Sequence, residues 1–449
     1  MNLKPIKNIY FVGIGGIGMS ALAHYFQANG KTVLGYDKTP SKITNGLQIK
    51  GVSIIYEACL DQLKSNDLSP DSTLVVYTPA IPKSNIILNY FILNGFKVLK
   101  RAQVLGLITQ DTFCMAVAGT HGKTTTSSIL GHLLQATGQK ATSFLGGISE
   151  NYSSNLILNG NEITVVEADE FDRSFLTLSP NVACITSIDP DHLDIYGDTQ
   201  SLVEAFESFA KLISVNGSLF VHDNVDIDGI TYGVETQTDY AAVHLKIENG
   251  TYYFDLKTPT NLINDFELNM AGRHNLSNAV VALAMALEKG VSEKLLRTAL
   301  KEYKGVKRRF SYVYKDDTFV FIDDYAHHPK EIKAVSDAVK EMHPDQKVTA
   351  VFQPHLFSRT LDFAADFAKV LSVFDAVVLL DIYPARELPI PGVTSKWLLE
   401  KINSRYKKLV KKSALAQTII DIGNPILVTM GAGDIGVQVE QLKTELIHA

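Results

Sequence analysis

The chain is poor in cysteine and has no long apolar run. Its 449 residues include three cysteines, Cys59, Cys114 and Cys184, which are too few and too far apart for a disulfide framework or a zinc site. We expect them to be buried small hydrophobes. No apolar stretch approaches the roughly 18 residues that span a bilayer, and the start of the chain carries no signal-peptide pattern. These features predict a cytoplasmic protein with no membrane partner.

The chain also lacks an excess of positive charge. Lysine and arginine total 42 against 48 aspartate and glutamate, which gives a net charge of −6. This balance predicts no nucleic-acid partner, because cations are needed to neutralise phosphates. A small anionic substrate is still compatible with it, since a pocket can be basic on an acidic protein. The 46% hydrophobic and 20% charged composition is typical of a globular chain.

Short apolar runs alternate with helical patterns along most of the chain. This alternation predicts an α/β fold with parallel sheets. We expect three domains: an N-terminal Rossmann-like domain at 1–106, a central P-loop domain at 107–303, and a C-terminal Rossmann-like α/β domain at 304–449. The predicted strands cover residues 8–12, 32–36, 74–77, 97–99, 113–118, 163–166, 182–187, 319–322, 348–352, 376–380 and 426–429. Residues 217–268 look strand-rich, but their pattern sets no strand order.

A phosphate-binding loop is predicted between the apolar run 113–118 and the helical pattern 124–137. Its residues are Gly119, Thr120, His121, Gly122, Lys123 and Thr124. Glycines let backbone amides converge on phosphate oxygens at a helix N-terminus. Lys123 is predicted to reach the β- and γ-phosphates, and the Thr124 hydroxyl to ligate magnesium. Val117 replaces the first glycine of the full motif, and a glycine turn with a surface lysine is the structural alternative.

A second glycine motif follows the first predicted strand. Residues 13–18 read Gly-Ile-Gly-Gly-Ile-Gly, and Asp37 ends the second strand nineteen residues later. This spacing is typical of a diphosphate on a helix N-terminus with an acidic residue near a ribose. It does not identify a nicotinamide, and a structural tight turn is the alternative.

Two acidic segments follow central strands. Glu167, in Glu-Ala-Asp-Glu at 167–170, is placed one strand from the phosphate loop, where a carboxylate suits magnesium. A solvated acidic turn is the alternative. His192, in 189–192, is interpreted as a ligand, a cap or a loop histidine. Its chemistry alone does not favour a ligand to magnesium, because magnesium prefers oxygen. Asn275 and Asn278 share a face of the helix predicted at 272–287 and suit either a purine, a carboxylate or N-capping.

Further candidates lie in the third domain. Lys307-Arg308-Arg309 is either a solvated linker or the source of an arginine that contacts a transferring phosphate. The segment 323–329 and the pair His355 and Arg359 follow strands at the edge where α/β ligand sites lie. An arginine there suits a substrate carboxylate, and helix capping is the alternative.

Taken in order, these motifs resemble the Mur ligase family, and within it the members that add L-alanine to UDP-N-acetylmuramate. The resemblance spans the whole chain and rests on 13–19, 119–126, 167–170, 191–194, 272–275, 323–329 and 431–434. It implies an ATP- and magnesium-dependent ligase of peptidoglycan precursor synthesis. The lactyl carboxylate attacks the γ-phosphate of ATP, and the amine of L-alanine then attacks the acyl phosphate. The implied partners are these small molecules, and we expect a monomer or weak homodimer.

The resemblance also implies a role for each candidate. The UDP diphosphate lies on Gly13, Gly15, Gly16, Ile17 and Gly18, with Asp37 on the uridine side. ATP lies on Gly119, Thr120, His121, Gly122, Lys123, Thr124, Thr125, Asn275, Asn278 and Asp324. Magnesium is held by Thr124, Glu167 and His192, and the catalytic set is Lys123, Glu167, His192, His274 and Arg309. The amino acid faces His355 and Arg359.

Two positions depart from the family pattern. Leu356 stands where alanine-adding members often carry a second arginine, and Thr78-Pro79-Ala80-Ile81 replaces a Ser-Ser-Ala-Ile segment. Three other classes compete. A ligase that recycles a whole tripeptide should lack the His355 to Arg359 pattern, a nicotinamide oxidoreductase would leave the phosphate loop unused, and a non-catalytic nucleotide-binding regulator would be expected to have lost Lys123 or Glu167.

Overall fold

The structure is a computed structural model that describes residues 3–64, 68–189, 196–248, 250–385 and 387–447. It contains three sheets, so the predicted three-part α/β fold is confirmed. The chain divides into two compact units. The first comprises Met1–Leu245, Phe254–Glu267 and Ser277–Lys304, and the second comprises Lys246–Tyr253, Leu268–Leu276 and Gly305–Ala449. The domain boundaries after 106 and 303 stay predictions.

The first sheet has five parallel strands in the order β3-β2-β1-β4-β5. The order reverses between β1 and β4, and such a switch point opens a ligand crevice at the carboxyl ends of the strands. The strands are β1 Asn8–Val12, β2 Thr32–Tyr36, β3 Ser53–Ile55, β4 Thr73–Tyr77 and β5 Lys97–Lys100. The helices are α1 Ile17–Ala28, α2 Lys42–Ile49, α3 Leu60–Lys64, α4 Ile86–Leu93 and α5 Arg101–Gln110.

The second sheet has ten strands, in the order β15-β14-β13-β12-β11-β10-β6-β9-β7-β8. Strands from β12 to β7 in this order run parallel, and β8 is antiparallel to β7. The strands are β6 Phe113–Ala118, β7 Ala141–Ser149, β8 Ser154–Leu158, β9 Ile163–Ala168, β10 Val182–Ile185, β11 Ser218–His222, β12 Ile230–Val234, β13 Tyr240–Glu248, β14 Thr251–Lys257 and β15 Leu262–Leu268. The helices are α6 Lys123–Ala136, α7 Thr199–Ala210, α8 Arg273–Glu288 and α9 Glu293–Lys301, with a 3₁₀ segment at Phe171–Thr177.

The third sheet has six strands in the order β16-β17-β21-β18-β19-β20, and only β16 is antiparallel to its neighbour. The strands are β16 Ser311–Lys315, β17 Val320–Asp324, β18 Val348–Phe352, β19 Ala376–Leu379, β20 Tyr406–Leu409 and β21 Ile426–Met430. The helices are α10 Pro329–Met342, α11 Phe357–Asp362, α12 Ala364–Leu371, α13 Ser395–Lys401, α14 Leu415–Ile422 and α15 Ile435–Ile447, with a 3₁₀ turn at Lys412–Ala414.

The central strands are buried on both faces, which is why they read as continuous apolar runs. Every residue of β10, β18 and β21 is buried. In the first unit, one apolar cluster joins the first and second sheets, from Ile9 and Phe11 in β1 to Ala116 in β6 and Val166 in β9. The core therefore holds the glycine motif of the first sheet and the phosphate loop of the second in one compact body.

The strand predictions hold to within a few residues, and two differences affect the site. Strand β9 extends to Ala168 and β17 to Asp324, so Glu167 and Asp324 are strand residues with fixed backbones. Cys114 and Cys184 are buried and Cys59 is half-buried, all as free thiols. Among the described residues, no helix is long and apolar enough to span a membrane.

A pair of glycines tests the packing of the first unit. A Cβ at Gly106, inside α5, would lie 2.3 Å from the carbonyl oxygen of Thr177, whereas one at Gly46, inside α2, would have no atom within 4 Å. We expect Gly106→Ala to lower the free energy of unfolding by about 1–3 kcal/mol because of this clash. Gly46→Ala should raise it by up to about 1 kcal/mol, the ordinary helix gain. Calorimetric melting measures both, and an unchanged melting temperature for Gly106→Ala would contradict the packing.

Candidate active site

The phosphate loop takes backbone conformations that glycine favours. Gly119 has φ +131° and Gly122 has φ +82°. A Cβ at Gly119 would lie 2.0 Å from the Thr186 hydroxyl oxygen, so a side chain has no room there. Gly122 is the N-cap of α6, and the loop therefore delivers Lys123 and Thr124 as the first residues of that helix.

The end of β10 braces the loop from the neighbouring strand. The Thr186 hydroxyl donates to the His121 carbonyl at 2.5 Å. The Thr120 amide donates to the Ser187 carbonyl at 3.0 Å, and the His121 amide to the Ser187 hydroxyl at 3.0 Å. Neither Thr186 nor Ser187 is among the site residues predicted from sequence. Their position at the carboxyl end of a strand beside the loop is the signal that would have found them.

Lys123 is paired with Glu170, a residue to which the sequence analysis gave no role. Its Nζ donates to both carboxylate oxygens of Glu170, at 2.8 and 3.0 Å, and to the Gly119 carbonyl at 2.5 Å. Glu170 is only 1% exposed. Burial opposes the charge on Lys123, but the carboxylates of Glu170, Asp169 and Glu167 outweigh it and raise the pKa of the amine. Lys123 is therefore a fixed ammonium group beside the loop.

Glu167 accepts hydrogen bonds from three donors, two in α6 and one in β7. It accepts from the Thr124 hydroxyl at 3.2 Å, the Ser127 hydroxyl at 3.1 Å and the Gly146 amide at 2.5 Å. Burial raises the pKa of this carboxyl, although the three donors and Lys123 act in the opposite direction. The contact brings two predicted magnesium ligands together. Both are oxygen donors, and their small number suits an ion that keeps waters and binds substrate phosphates.

The other predicted ligand, His192, lies outside the described residues. Within the described ranges, no group of three or more His, Cys, Asp or Glu side chains is placed to hold a metal ion. Asn278 does lie at the loop, since a Cβ at Gly122 would come 2.7 Å from its side-chain oxygen. Asn278 is buried, so its side chain packs against the phosphate loop.

The glycine motif of the first sheet is held by Asp37. Gly13 has φ +90°, and the Gly15 amide donates to the Asp37 carboxylate at 2.7 Å. The other oxygen of this carboxylate accepts from the Thr39 amide at 3.1 Å. Asp37 thus fixes the shape of the loop, and its predicted position on the uridine side stays a prediction.

A cavity of about 310 Å³ extends from the glycine motif to the second sheet within the first unit. Gly16 and Gly18 line it at the start of α1, and Glu167 and Asp169 line it at the carboxyl end of β9. Arg101, the first residue of α5, also lines it. The cavity therefore joins the glycine motif to Glu167, which accepts a hydrogen bond from Thr124 of the phosphate loop.

In the second unit, Asp324 anchors the segment that carries Arg309. Its carboxylate accepts from the Phe310 amide at 2.6 Å and the Ala326 amide at 2.7 Å. Burial raises the pKa of Asp324 to about 6, against the effects of Arg309 and these amides. Both oxygens thus have backbone partners, and the predicted ribose contact stays a prediction.

The two arginines of this segment differ in their contacts. Arg308 donates to the Asp323 carboxylate at 3.0 Å and to the Gly431 carbonyl at 2.6 Å, so it is committed to the fold. Both guanidinium groups lie over the Tyr325 ring, 5.2 Å from its centre for Arg308 and 5.3 Å for Arg309, so the hydrogen bonds distinguish them. This geometry favours Arg309 over Arg308 as the phosphate contact predicted from sequence.

His274 and Asn275 lie at the start of α8. The Asn275 amide group donates to the Ala271 carbonyl at 2.7 Å, a local contact that closes its own turn. Desolvation and then the positive charge of Arg309 lower the pKa of His274 to about 4. His274 is therefore neutral at pH 7, and its ring can accept a hydrogen bond.

His355 and Arg359 lie at the carboxyl edge of the third sheet. The His355 ring stacks on Tyr383, with centroids 5.7 Å apart, and lies 6.0 Å from the His327 ring. Arg359 is close enough to His327 to lower the pKa of that imidazole, after burial has done so more strongly. Tyr383 follows β19 and was not predicted as a site residue. It extends the predicted pair into a polar and aromatic group.

The chain is similar to known proteins over nearly its whole length. Three family models match the chain: "Mur ligase family, catalytic domain" at residues 8–112, "Mur ligase middle domain" at 117–286, and "Mur ligase, glutamate ligase domain" at 308–433. The UDP-N-acetylmuramate–L-alanine ligase of Flavobacterium psychrophilum is 56% identical over 99% of both chains, and that of Cytophaga hutchinsonii is 42% identical over 99% of this chain and 97% of its own. The solved UDP-N-acetylmuramate-alanine ligase MurC of Thermotoga maritima has a TM-score of 0.82 at 28% identity, covering 98% of each chain.

The backbone at Leu356 gives a test of the structure at the carboxyl edge of the third sheet. Leu356 precedes α11 with φ +71° and ψ +137°, a conformation that favours glycine. We expect Leu356→Gly to raise the free energy of unfolding by about 1 kcal/mol, because the strain relieved exceeds the entropy that glycine adds to the unfolded chain. Leu361→Gly, inside the same helix, should lower it by about 1 kcal/mol. Calorimetric melting separates the two, and destabilisation by both substitutions to the same extent would show that Leu356 is not strained.

Proposed function

The chain belongs to the Mur ligase family, and we propose that it joins L-alanine to the lactyl carboxylate of UDP-N-acetylmuramate at the expense of ATP. The relatives that carry this name cover nearly its whole length, which supports the same reaction here. The observation that carries the proposal is the cluster of Lys123, Thr124 and Glu167, because Glu167 also lines the cavity that begins at the glycine motif. That placement brings a substrate on the glycine motif towards the nucleotide.

The proposed chemistry brings anions together, and the site is built to offset their repulsion. One oxygen of the lactyl carboxylate attacks the γ-phosphorus of ATP, and the bond to the bridging oxygen of ADP breaks. The amine of L-alanine then attacks the acyl carbon, phosphate leaves, and the amine nitrogen loses a proton. Lys123 supplies positive charge at the first step, and Arg309 is proposed to add to it.

Magnesium is proposed at the Thr124 hydroxyl and the Glu167 carboxylate, with His192 as a further ligand. When bound there, it would neutralise charge on the β- and γ-phosphates. Glu167 is positioned for this by Ser127 and the Gly146 amide, and so its orientation does not depend on the ion. We expect the enzyme to work in the cytoplasm, where ATP and nucleotide sugars are available.

The amino-acid site is proposed at His355 and Arg359. The carboxylate of L-alanine needs a cation, and Leu356 leaves Arg359 as the arginine of that helix turn. His274, Asn275 and Asn278 are proposed to lie along the nucleotide and the reacting carboxylate. The role of Tyr383 would be to hold the His355 ring by stacking.

Phosphate release with ATP and UDP-N-acetylmuramate, measured across a panel of amino acids and peptides, tests the function. L-Alanine should give the highest rate, with glycine and serine weaker, because one methyl group is worth only about 1–3 kcal/mol of discrimination. Peptides should be rejected. A preference for a tripeptide, or no phosphate release with any amino acid, would overturn the proposal.

Substitution of Glu167 tests the metal site. Glu167→Gln should raise the magnesium concentration for half-maximal activity, since an amide oxygen binds the ion more weakly than a carboxylate, and His192→Ala should act in the same direction. Glu162→Gln, an exposed position just before the same strand, is the matched control and should leave the titration unchanged. Wild-type magnesium titrations for Glu167→Gln would remove Glu167 from the metal site.

The proposed role of Arg359 is tested by the KM for L-alanine. Arg359→Ala should raise the KM for L-alanine roughly ten- to a hundredfold, the usual effect of losing a charge-assisted contact, with small changes in the constants for ATP and UDP-N-acetylmuramate. Leu356→Arg should be tolerated or lower that KM. Arg405→Ala, at an exposed position of the same unit, serves as the control. A normal KM in Arg359→Ala would place the alanine carboxylate elsewhere.

A further inference from the structure

Arg101 holds a position that the roles assigned so far do not explain. It is the first residue of α5, and its side chain packs against Gly18 at the start of α1. A Cβ at Gly18 would lie 3.0 Å from one terminal nitrogen of the guanidinium. The side chain is 26% exposed and lines the 310 Å³ cavity between the glycine motif and Glu167.

The partner that Arg101 has within the protein is a weak one. One terminal nitrogen of Arg101 lies 3.6 Å from the Asp169 carboxylate, which is longer than a hydrogen bond. The Asp169 side chain is 39% exposed, and ion pairs of this kind contribute little to stability. The guanidinium therefore has donors to offer to a ligand without breaking a strong internal contact.

The charge of the cavity makes this arginine necessary for an anionic substrate. Two of the described lining residues, Glu167 and Asp169, carry carboxylates, and Arg101 is the one cation among those lining residues. A substrate with a diphosphate and a carboxylate would meet repulsion from both acids. A guanidinium between the glycine motif and the acids offsets it, and its fork matches carboxylate and phosphate oxygens.

We propose that Arg101 binds an anionic oxygen of the UDP-linked substrate, which makes it a binding residue of this site. The inference rests on the proposed function. The oxygen belongs either to the lactyl carboxylate or to the diphosphate, both of which a guanidinium recognises in the same way. In either case Arg101 holds the substrate at the point where it passes from the first sheet to Lys123 and Glu167.

Calorimetric binding of three ligands to the whole enzyme tests the proposal: UDP-N-acetylmuramate, UDP-N-acetylglucosamine, which lacks the lactyl group, and UDP. Arg101→Ala should weaken UDP-N-acetylmuramate roughly ten- to a hundredfold. A loss confined to that ligand assigns the carboxylate, and a similar loss for all three assigns the diphosphate. Wild-type affinity for UDP-N-acetylmuramate in Arg101→Ala would overturn the proposal.

Two matched variants separate binding from structure. Lys100→Ala removes the neighbouring exposed ion pair with Asp172, 2.8 Å long, and should leave all three affinities unchanged. Asp169→Asn removes the partner of Arg101. If Arg101 acted only through that partner, Asp169→Asn would weaken UDP-N-acetylmuramate as much as Arg101→Ala does, which would overturn the proposal, whereas we expect equal or tighter binding.

A third variant keeps the proposal testable if Arg101→Ala does not fold. Arg101→Lys keeps the charge and loses the fork, and it should bind UDP-N-acetylmuramate with an intermediate affinity if Arg101→Ala is unstable. Wild-type affinity in Arg101→Lys together with an unstable Arg101→Ala would make the residue structural and overturn the proposal. Failure of the wild-type enzyme to bind UDP-N-acetylmuramate would instead overturn the proposed function, so the two failures are distinguishable.

Discussion

The carboxylate of Glu167 ties three elements of the first compact unit together. Its donors come from the first turn of α6, through Thr124 and Ser127, and from the Gly146 amide in β7, while its own backbone is the penultimate residue of β9. A half-buried carboxylate is costly without such partners. Because the donors satisfy it, the group can stand at the end of a cavity and still keep one orientation.

The ion pair between Lys123 and Glu170 restricts the lysine side chain. Without such a partner, the long side chain of Lys123 would sample many rotamers. Glu170 fixes the ammonium beside the Gly119 carbonyl, at the entrance of the loop. The carboxylates of Glu167 and Asp169 also act on this ammonium group, so one lysine faces three carboxylates. With that excess of acid, the proposed anionic substrates would need the further cations that we propose, magnesium and Arg309.

Much of the fold could be predicted because buried parallel strands read as apolar runs. The glycine loops were also predictable, since their conformations depend on local residues such as Gly13, Gly119 and Gly122. Residues 217–268 were harder, because β11, β13 and β15 are partly exposed and their burial patterns are mixed. Their order depends on pairing across the sheet, which the local sequence does not specify.

The site was predicted less completely, for a different reason. Glu170, Thr186 and Ser187 act through tertiary contacts with the loop, and the sequence shows only that they follow strands, not that their side chains reach the loop. Asp37 and Asp324 were predicted as ligand contacts, but in the structure their carboxylates also hold backbone amides. Arg308 and Arg309 are adjacent and chemically identical, and only the hydrogen bonds of Arg308 to Asp323 and Gly431 distinguish their roles.

The central claim is that a substrate carboxylate, rather than water, attacks the γ-phosphate beside Lys123 and Glu167. Oxygen tracing tests it most directly. UDP-N-acetylmuramate labelled with ¹⁸O in the lactyl carboxylate is turned over with ATP and L-alanine, and the released phosphate is examined by ³¹P NMR or mass spectrometry. The account predicts one ¹⁸O atom in each phosphate derived from fully labelled carboxylate. Phosphate free of ¹⁸O from that carboxylate would contradict it.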